Sequence, residues 1–360
     1  MNNSIKTVGI AGAGIMGRLL AWKLQNKGMQ VSLFDRDSID CGSAAAYTAA
    51  GMLAPYSELE SAESTVYNLG QRSMELWPEI IDSLDAQPYF HSAGSLVVAH
   101  QQDSADLEHF NQTLEHKLPN HSEIEYLNQT QLKELEPELA TQFKNATSLK
   151  DESWVYTKEI MATLAHRLMS GGAHWHAQTS VTKVAAKCIE TEDGGHEFDC
   201  VIDCRGLGAK SDIDKLRGVR GEVIHVHAPE VNLSRMVRLM HPRYRLYLVP
   251  RDNNHYILGA TQIESEDLSE ISVRSALELL SALYAIHPGF AEARVVETKT
   301  NCRPALLDNL PAIKHSDGFV QVNGLYRHGY LLAPALAEQT VALLTGSNDS
   351  PSFPEIFTTL

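Results

Sequence analysis

No stretch of this 360-residue chain approaches the roughly 20 consecutive apolar residues that cross a bilayer. Basic residues are scarce: 30 Lys and Arg stand against 45 Asp and Glu, a formal net charge of −15, with no Lys/Arg-rich run. An acidic surface repels polyphosphate. That argues against a nucleic-acid binder held by charge, and any phosphate that binds must be gripped by local backbone geometry. Cysteine is sparse as well. Cys41, Cys188, Cys200, Cys204 and Cys302 are odd in number and form no CxxC pair. This argues against a disulfide framework or zinc site and for buried free thiols in a reducing cytoplasm. The sixteen histidines show neither HxxxH nor HExxH spacing, so no metal is expected.

What is present is an ordinary globular composition, 43% hydrophobic and 21% charged. The length suggests two domains, or one large α/β domain carrying an inserted piece. Thr7–Gly17 follows a lysine but holds four glycines and runs straight into Arg18. It reads as structure and not as the core of a signal peptide.

The opening residues carry the sharpest local pattern. Thr7–Gly12 is a short apolar run, predicted as a buried strand. Gly12-Ala13-Gly14-Ile15-Met16-Gly17 follows, then a helix over Arg18–Lys27 with Leu20 and Leu24 on its apolar face and Arg18, Lys23, Gln25 and Lys27 as its polar residues. Gly28 stops it, and Gln30–Asp35 is a second strand ending in an acid. Strand, glycine turn, helix, strand and terminal acid in this order form a dinucleotide-binding pattern. Gly12 permits the tight turn, Gly14 the approach of backbone to a pyrophosphate, and Gly17 close packing of helix on strand. The helix N-terminus stabilises the anion, and Asp35 can accept hydrogen bonds from ribose hydroxyls while repelling a 2′-phosphate. Cys41–Glu60 (CGSAAAYTAAGMLAPYSELE) admits two readings: small side chains that let main chain run against a flat ring system, or an Ala-rich helix packed in the core.

Further pieces extend the pattern along the whole chain: S-x-x-x-x-T-A-A-G-M-L after FDRD, VIDCRGLGAKS (201–211), LRGVRGEV (216–223), YRLYLVPR (244–251), NCRPALLDNLPAI (301–313) and VNGLYRHGYLLAPALAE (322–338). In this order they resemble the D-amino-acid-oxidase-type family of FAD-dependent oxidoreductases, and within it the branch that oxidises glycine in bacterial thiamine biosynthesis. The resemblance implies an α/β fold, with a Rossmann-like FAD-binding domain (1–85, 150–217 and 302–360) interleaved with an antiparallel-sheet substrate domain (86–149 and 218–301). Local patterns add a hairpin of Arg245–Pro250 and His255–Thr261, a helix over Ser272–His287, and a helix opened by Pro334 and running to about Thr345. Residues 101–147 read as solvated outer helices, Phe198–Cys204 as a buried strand and Gly318–Val322 as a strand.

The resemblance also implies the site. FAD would be contacted by Gly12, Ala13, Gly14, Ile15, Met16, Gly17, Asp35, Arg36, Ser43, Thr48, Ala50, Gly51, Met52, Val181, Gly206, Leu207, Arg303, Arg327, His328, Gly329, Tyr330 and Leu331. Leu325–Leu331 would lie under the isoalloxazine, with His328 either bonded to flavin or solvated. The flavin would be non-covalent, because relatives that tether it use a cysteine nearer the C-terminus and none follows Cys302. Arg303, placed after a strand Arg294–Thr300, would bind the substrate carboxylate through its planar fork; Tyr247, Arg327 and Met52 would complete the pocket. Hydride would pass from the amine carbon to flavin N5 with no essential side-chain acid or base. Dioxygen would be the electron acceptor, a thiazole synthase a candidate recipient of the imine, and the assembly a homo-oligomer. The alternatives are oxidation of sarcosine or a small D-amino acid on the same scaffold, an NAD-linked dehydrogenase, and a non-catalytic nucleotide-binding scaffold. A tRNA-modifying oxidoreductase is argued against by the charge.

Overall fold

Apolar strands alternating with amphipathic helices produce one large sheet and a run of longer strands another; two three-stranded sheets, Val181–Ala185 with Cys188–Thr191 and Gly194–Glu197, and Met52–Leu53 with Ser153–Val155 and Phe90–His91, flank them among the described residues. The computed structural model describes residues 5–119, 121–241, 245–347 and 353–359. A seven-stranded sheet runs in the order Phe357–Thr359, Ala312–Ser316, Phe319–Asn323, Cys200–Asp203, Thr7–Ala11, Gln30–Phe34, His174–His176. All neighbours in it are parallel except the hairpin of Ala312–Ser316 with Phe319–Asn323. Helices Ile15–Asn26, Ser64–Leu84, Thr157–Ser170 and Gly329–Thr345 share one apolar core with this sheet.

The second sheet has eight strands in the order Arg294–Ala305, Arg217–His227, His255–Gly259, Arg245–Arg251, Met236–Met240, Ser95–Ala99, Asn145–Leu149, Ile124–Asn128. It is antiparallel throughout except where Met236–Met240 runs parallel to Ser95–Ala99. Its core takes Leu279, Ala282, Leu283 and Ile286 from the helix Val273–Ile286. That helix starts as the spacing predicts, with Ser272 Oγ accepting from the Ser275 amide at 3.1 Å. The hairpin also forms: Arg251 pairs with His255, and Asn253 and Asn254 supply the left-handed turn (φ 57° and 56°) that asparagine tolerates.

Several sequence expectations need correction. The C-terminal helix begins at Gly329, not Pro334, and the proline lies inside it. Pro334 has no amide to give the Tyr330 carbonyl four residues earlier; Trp77 Nε1 donates to that carbonyl at 3.1 Å, and Ser73 Oγ accepts the Ala335 amide at 3.1 Å. Arg303 does not follow a strand but sits within one, Arg294–Ala305. Residues 101–147 include helices Ser104–Lys117 and Gln129–Leu135, yet also two strands at the edge of the eight-stranded sheet. Polar residues masked those strands, and in Asn145–Leu149 two of them, Thr147 and Ser148, are buried. Of the five free cysteines only Cys200 and Cys302 are buried, and Cys41 is exposed. Arg18, read as part of a polar helix face, is 2% exposed.

Candidate active site

Both large sheets border one cavity of about 1380 Å³, larger than the roughly 300–1,000 Å³ typical of pockets for drug-sized molecules. Its wall begins at the first glycine turn. Gly12 has φ +96°, and a Cβ there would lie 2.6 Å from the Cys204 carbonyl oxygen; one on Gly17 would lie 1.9 Å from the Gly12 oxygen. These two glycines are required by the protein's own packing. Gly14 differs: its φ is −68°, and a Cβ on it would meet nothing closer than Ala44 Cβ at 3.9 Å. Backbone at Gly14 therefore faces open cavity at the N-terminus of helix Ile15–Asn26, the place an anion would occupy.

Arg18 ties this turn together from behind. Its Nε donates to the Ala13 carbonyl at 2.8 Å, Nη1 to Met161 O at 2.6 Å, and Nη2 to Ile39 O and Tyr47 Oη at 2.9 Å each. Burial lowers the pKa of the guanidinium, and the acceptors around it offset that cost. At the far end of strand Gln30–Phe34, Asp35 lines the cavity and accepts from the Ala13 amide at 2.5 Å and the Asp37 amide at 2.9 Å. Arg36 donates to Ser43 Oγ at 3.1 Å. The segment 41–60 resolves its two readings. It is no core helix, but a 3₁₀ turn Ala45–Tyr47, a strand Met52–Leu53 and a one-turn helix Pro55–Glu58, with Ser43 through Met52 on the cavity wall. Gly51 (φ +73°) approaches the Val155 carbonyl so closely that a Cβ would lie 2.1 Å from it.

Where the eight-stranded sheet meets the cavity, two strand glycines matter that sequence reasoning overlooked. Tyr247 lies opposite Gly259 on the neighbouring strand, and a Cβ on Gly259 would fall 2.6 Å from the Tyr247 hydroxyl. Arg303 leans across Gly221, where a Cβ would fall 2.2 Å from its Nη2. The strands bearing Gly221 and Gly259 lie side by side between those bearing Arg303 and Tyr247. Glycine here leaves a floor on which tyrosine and guanidinium lie down toward each other. A glycine interrupting a strand pattern was the signal available. Arg303 also donates to Thr261 O at 3.1 Å, leaving donors toward the cavity. Burial raises the pKa of Tyr247, partly offset by the nearby Arg303 charge.

Arg327 reaches the same cavity but already has an anionic partner. Its Nη2 contacts Glu58 at 2.5 Å and Ser61 Oγ at 2.9 Å. Burial alone would raise the Glu58 carboxyl, but Arg327, His328 and Arg238 hold it down to about 2. Glu58 was absent from the expected site; an acid six residues after Met52 was the available hint. His328, 4% exposed, is not solvated: burial lowers it to about 4, so its ring is neutral, with Nδ1 3.7 Å from Glu58. Tyr330 Oη lies 3.2 Å from Ala46 O and 3.1 Å from Thr157 O. Val181, Gly206, Leu207, Gly329 and Leu331 also line the cavity; of the expected contacts only Ala13 and Gly17 do not. Among the described residues no cluster of three or more His, Cys, Asp or Glu could hold a metal ion, and no helix is long and apolar enough to cross a membrane.

Residues 7–343 match the family described as FAD dependent oxidoreductase (DAO). The chain is 39% identical over 342 residues to a Rhizobium etli protein named as the thiamine biosynthesis oxidoreductase ThiO, covering 95% of this chain and 97% of that one. It is 26% identical over 344 residues to glycine oxidase of Geobacillus kaustophilus, covering 91% and 89%. The crystal structure of that enzyme superposes with a TM-score of 0.85 at 24% identity over 97% of each chain. A Synechocystis protein named bifunctional ThiO/ThiG is 24% identical over 95% of this chain, which spans 52% of it.

Proposed function

Because the chain belongs to the D-amino-acid-oxidase (DAO) family of FAD-dependent oxidoreductases, we propose that it oxidises a small amino acid at Cα, glycine foremost. The overall balance is glycine plus dioxygen plus water giving glyoxylate, ammonia and hydrogen peroxide. The observation that carries this reading is the pairing of Arg303 and Tyr247 over Gly221 and Gly259. A planar fork beside a phenol suits a single carboxylate, and each charge-assisted bond contributes about 1.5–3 kcal/mol.

FAD, when bound, supplies the hydride acceptor. Gly14, Ser43 and Thr48 are suited to hold its phosphates, Asp35 its ribose, and the small residues 44–51 its rings. Cys204 and Cys302 are the thiols on the cavity wall, and burial raises both pKa values, which makes them poor nucleophiles and supports a non-covalent flavin. The protein's remaining part is orientation and exclusion of water. Arg303 fixes the carboxylate and therefore where Cα lies. Glu58, ionised and committed to Arg327, and His328, neutral to about pH 4, hold no proton well at neutral pH. The substrate ammonium must then shed its proton to solvent on entry. Hydrolysis of the product imine gives glyoxylate; a thiazole synthase is the alternative recipient, and the relative named bifunctional ThiO/ThiG supports a second enzyme acting beside this one.

Anaerobic mixing of the holoenzyme with glycine tests this. Loss of flavin absorbance is expected; a flavin that no small amine bleaches would leave a nucleotide-binding scaffold. A peroxide assay across glycine, sarcosine, D-alanine and D-proline then ranks the substrates.

A further inference from the structure

One fully buried acid lies behind the cavity wall and is not part of it. Glu152 is 0% exposed and immediately precedes the strand Ser153–Val155. Its Oε1 accepts from the Ser57 amide at 2.7 Å, and its Oε2 accepts from Ser57 Oγ at 2.8 Å and from Ser95 Oγ. Ser57 belongs to the helix Pro55–Glu58, a single turn that has no side-chain cap of its own. Helices this short are not stable by themselves and leave their first amides unpaired. Glu152 supplies the missing acceptor from a distant segment, and Arg238 Nη1 grips the other side of the same residue by donating to Ser57 O at 2.6 Å. The next residue is Glu58, whose carboxylate meets Arg327.

We infer that Glu152 is a positioning residue of the amine pocket: by clamping Ser57 it sets where Glu58 stands, and through Glu58 it sets the Arg327 guanidinium. The inference deepens, and rests on, the amine-oxidation reading. Retaining a buried carboxylate is costly. Burial lifts the Glu152 carboxyl to about 7 despite the bonds from Ser95 and Ser57 and the Arg238 charge. What singles this clamp out is its place: the residue it holds lines the cavity and adjoins the acid that meets Arg327.

The molecule contains its own control. Glu136, 2% exposed, performs the same clamp on Ser234, accepting from its amide at 3.2 Å and from its Oγ at 2.9 Å, but neither residue lines the cavity. Glu152→Ala and Glu136→Ala holoenzymes should both melt at lower temperature while retaining flavin absorbance. Only Glu152→Ala should raise the glycine KM, by about tenfold or more, the scale of one lost bond to a charged group. Glu152→Gln, which keeps an acceptor for the Ser57 amide, should recover most of that loss. If Glu152→Ala does not accumulate, Glu152→Asp, shorter by one methylene, gives the same KM readout. A glycine KM that stays at the wild-type value in the Ala or Asp variant, or rises equally in Glu136→Ala, would overturn the inference while leaving glycine oxidation standing. A wild-type holoenzyme that no amine reduces would instead overturn the reading beneath it.

Discussion

The two parts of the cavity are made from different materials. Around Gly12–Gly17 and Asp35, nearly every feature is backbone: a positive-φ glycine, an open face at Gly14, a helix N-terminus and amides meeting one carboxylate. Around Tyr247, Arg303, Arg327 and Glu58 the features are side chains delivered by segments far apart in sequence, the first two over strand glycines and the last two against each other. The first part suits a large constant ligand that many contacts hold. The second suits a small ligand on which few groups must act, so each group there carries more of the outcome.

The contrast also appears in two acids on either side of one helical turn. Glu58 faces Arg327 and is held at about 2; Glu152 faces hydroxyls and an amide and is lifted to about 7. Both begin from burial, which raises a carboxyl, and the guanidinium decides the difference. A buried acid without a full countercharge is tolerable only where neutral donors converge on it.

The comparison predicts its largest effect at Arg303. Arg303→Ala should lower kcat/KM for glycine by roughly 10²–10⁴-fold, two bonds at about 1.5–3 kcal/mol each, with flavin content retained. Steady-state kinetics on the yellow variant checks this, and an unchanged KM would remove Arg303 from the carboxylate site. Gly14→Val comes next. The protein itself leaves room there, so the variant should fold with near-normal melting yet bind FAD about 10–100-fold more weakly, the roughly 1–3 kcal/mol cost of overfilling. Full flavin content in that variant would dissolve the distinction between the two parts.

Acid stability should separate Glu58 from Glu152. The folded pKa of Glu58 is depressed, so its contribution is present above about 4.5 and is lost as pH falls toward 2. Glu152 has a raised folded pKa, so the folded state binds its proton more tightly, and stability falls as pH rises from about 4.5 to 7. Melting curves should therefore show Glu152→Gln gaining on wild type as pH climbs through that window. Glu58→Gln should show its deficit shrinking as pH drops below 4.5. The smallest effect is expected at Gly221→Ala, which leaves every charge in place but displaces the Arg303 guanidinium. It should raise the glycine KM by about tenfold, within the range expected of mild overpacking. A wild-type KM would mean Arg303 binds from elsewhere.

Much of the nucleotide part was legible in the sequence because its logic is local. Strand, turn, helix, strand and Asp35 are consecutive, and a glycine's backbone freedom belongs to the residue itself. Hairpin 245–259 was legible for the same reason. Glu58, Gly221 and Gly259 were not, because their meaning depends on what crosses them. Nor were the burial of Arg18 and the survival of Pro334 within a helix: the acceptors of the one and the Trp77 donor that substitutes for the other are contributed by residues distant along the chain.

The amino-acid order alone thus settled where backbone would bend to receive a dinucleotide, since φ preference and hydrophobic period act over a few residues. Only the packed molecule decided which charges are spent on one another and which remain for a ligand. Partnership between Glu58 and Arg327, or between Glu152 and Ser57, is a matter of proximity in space that no spacing along the chain encodes.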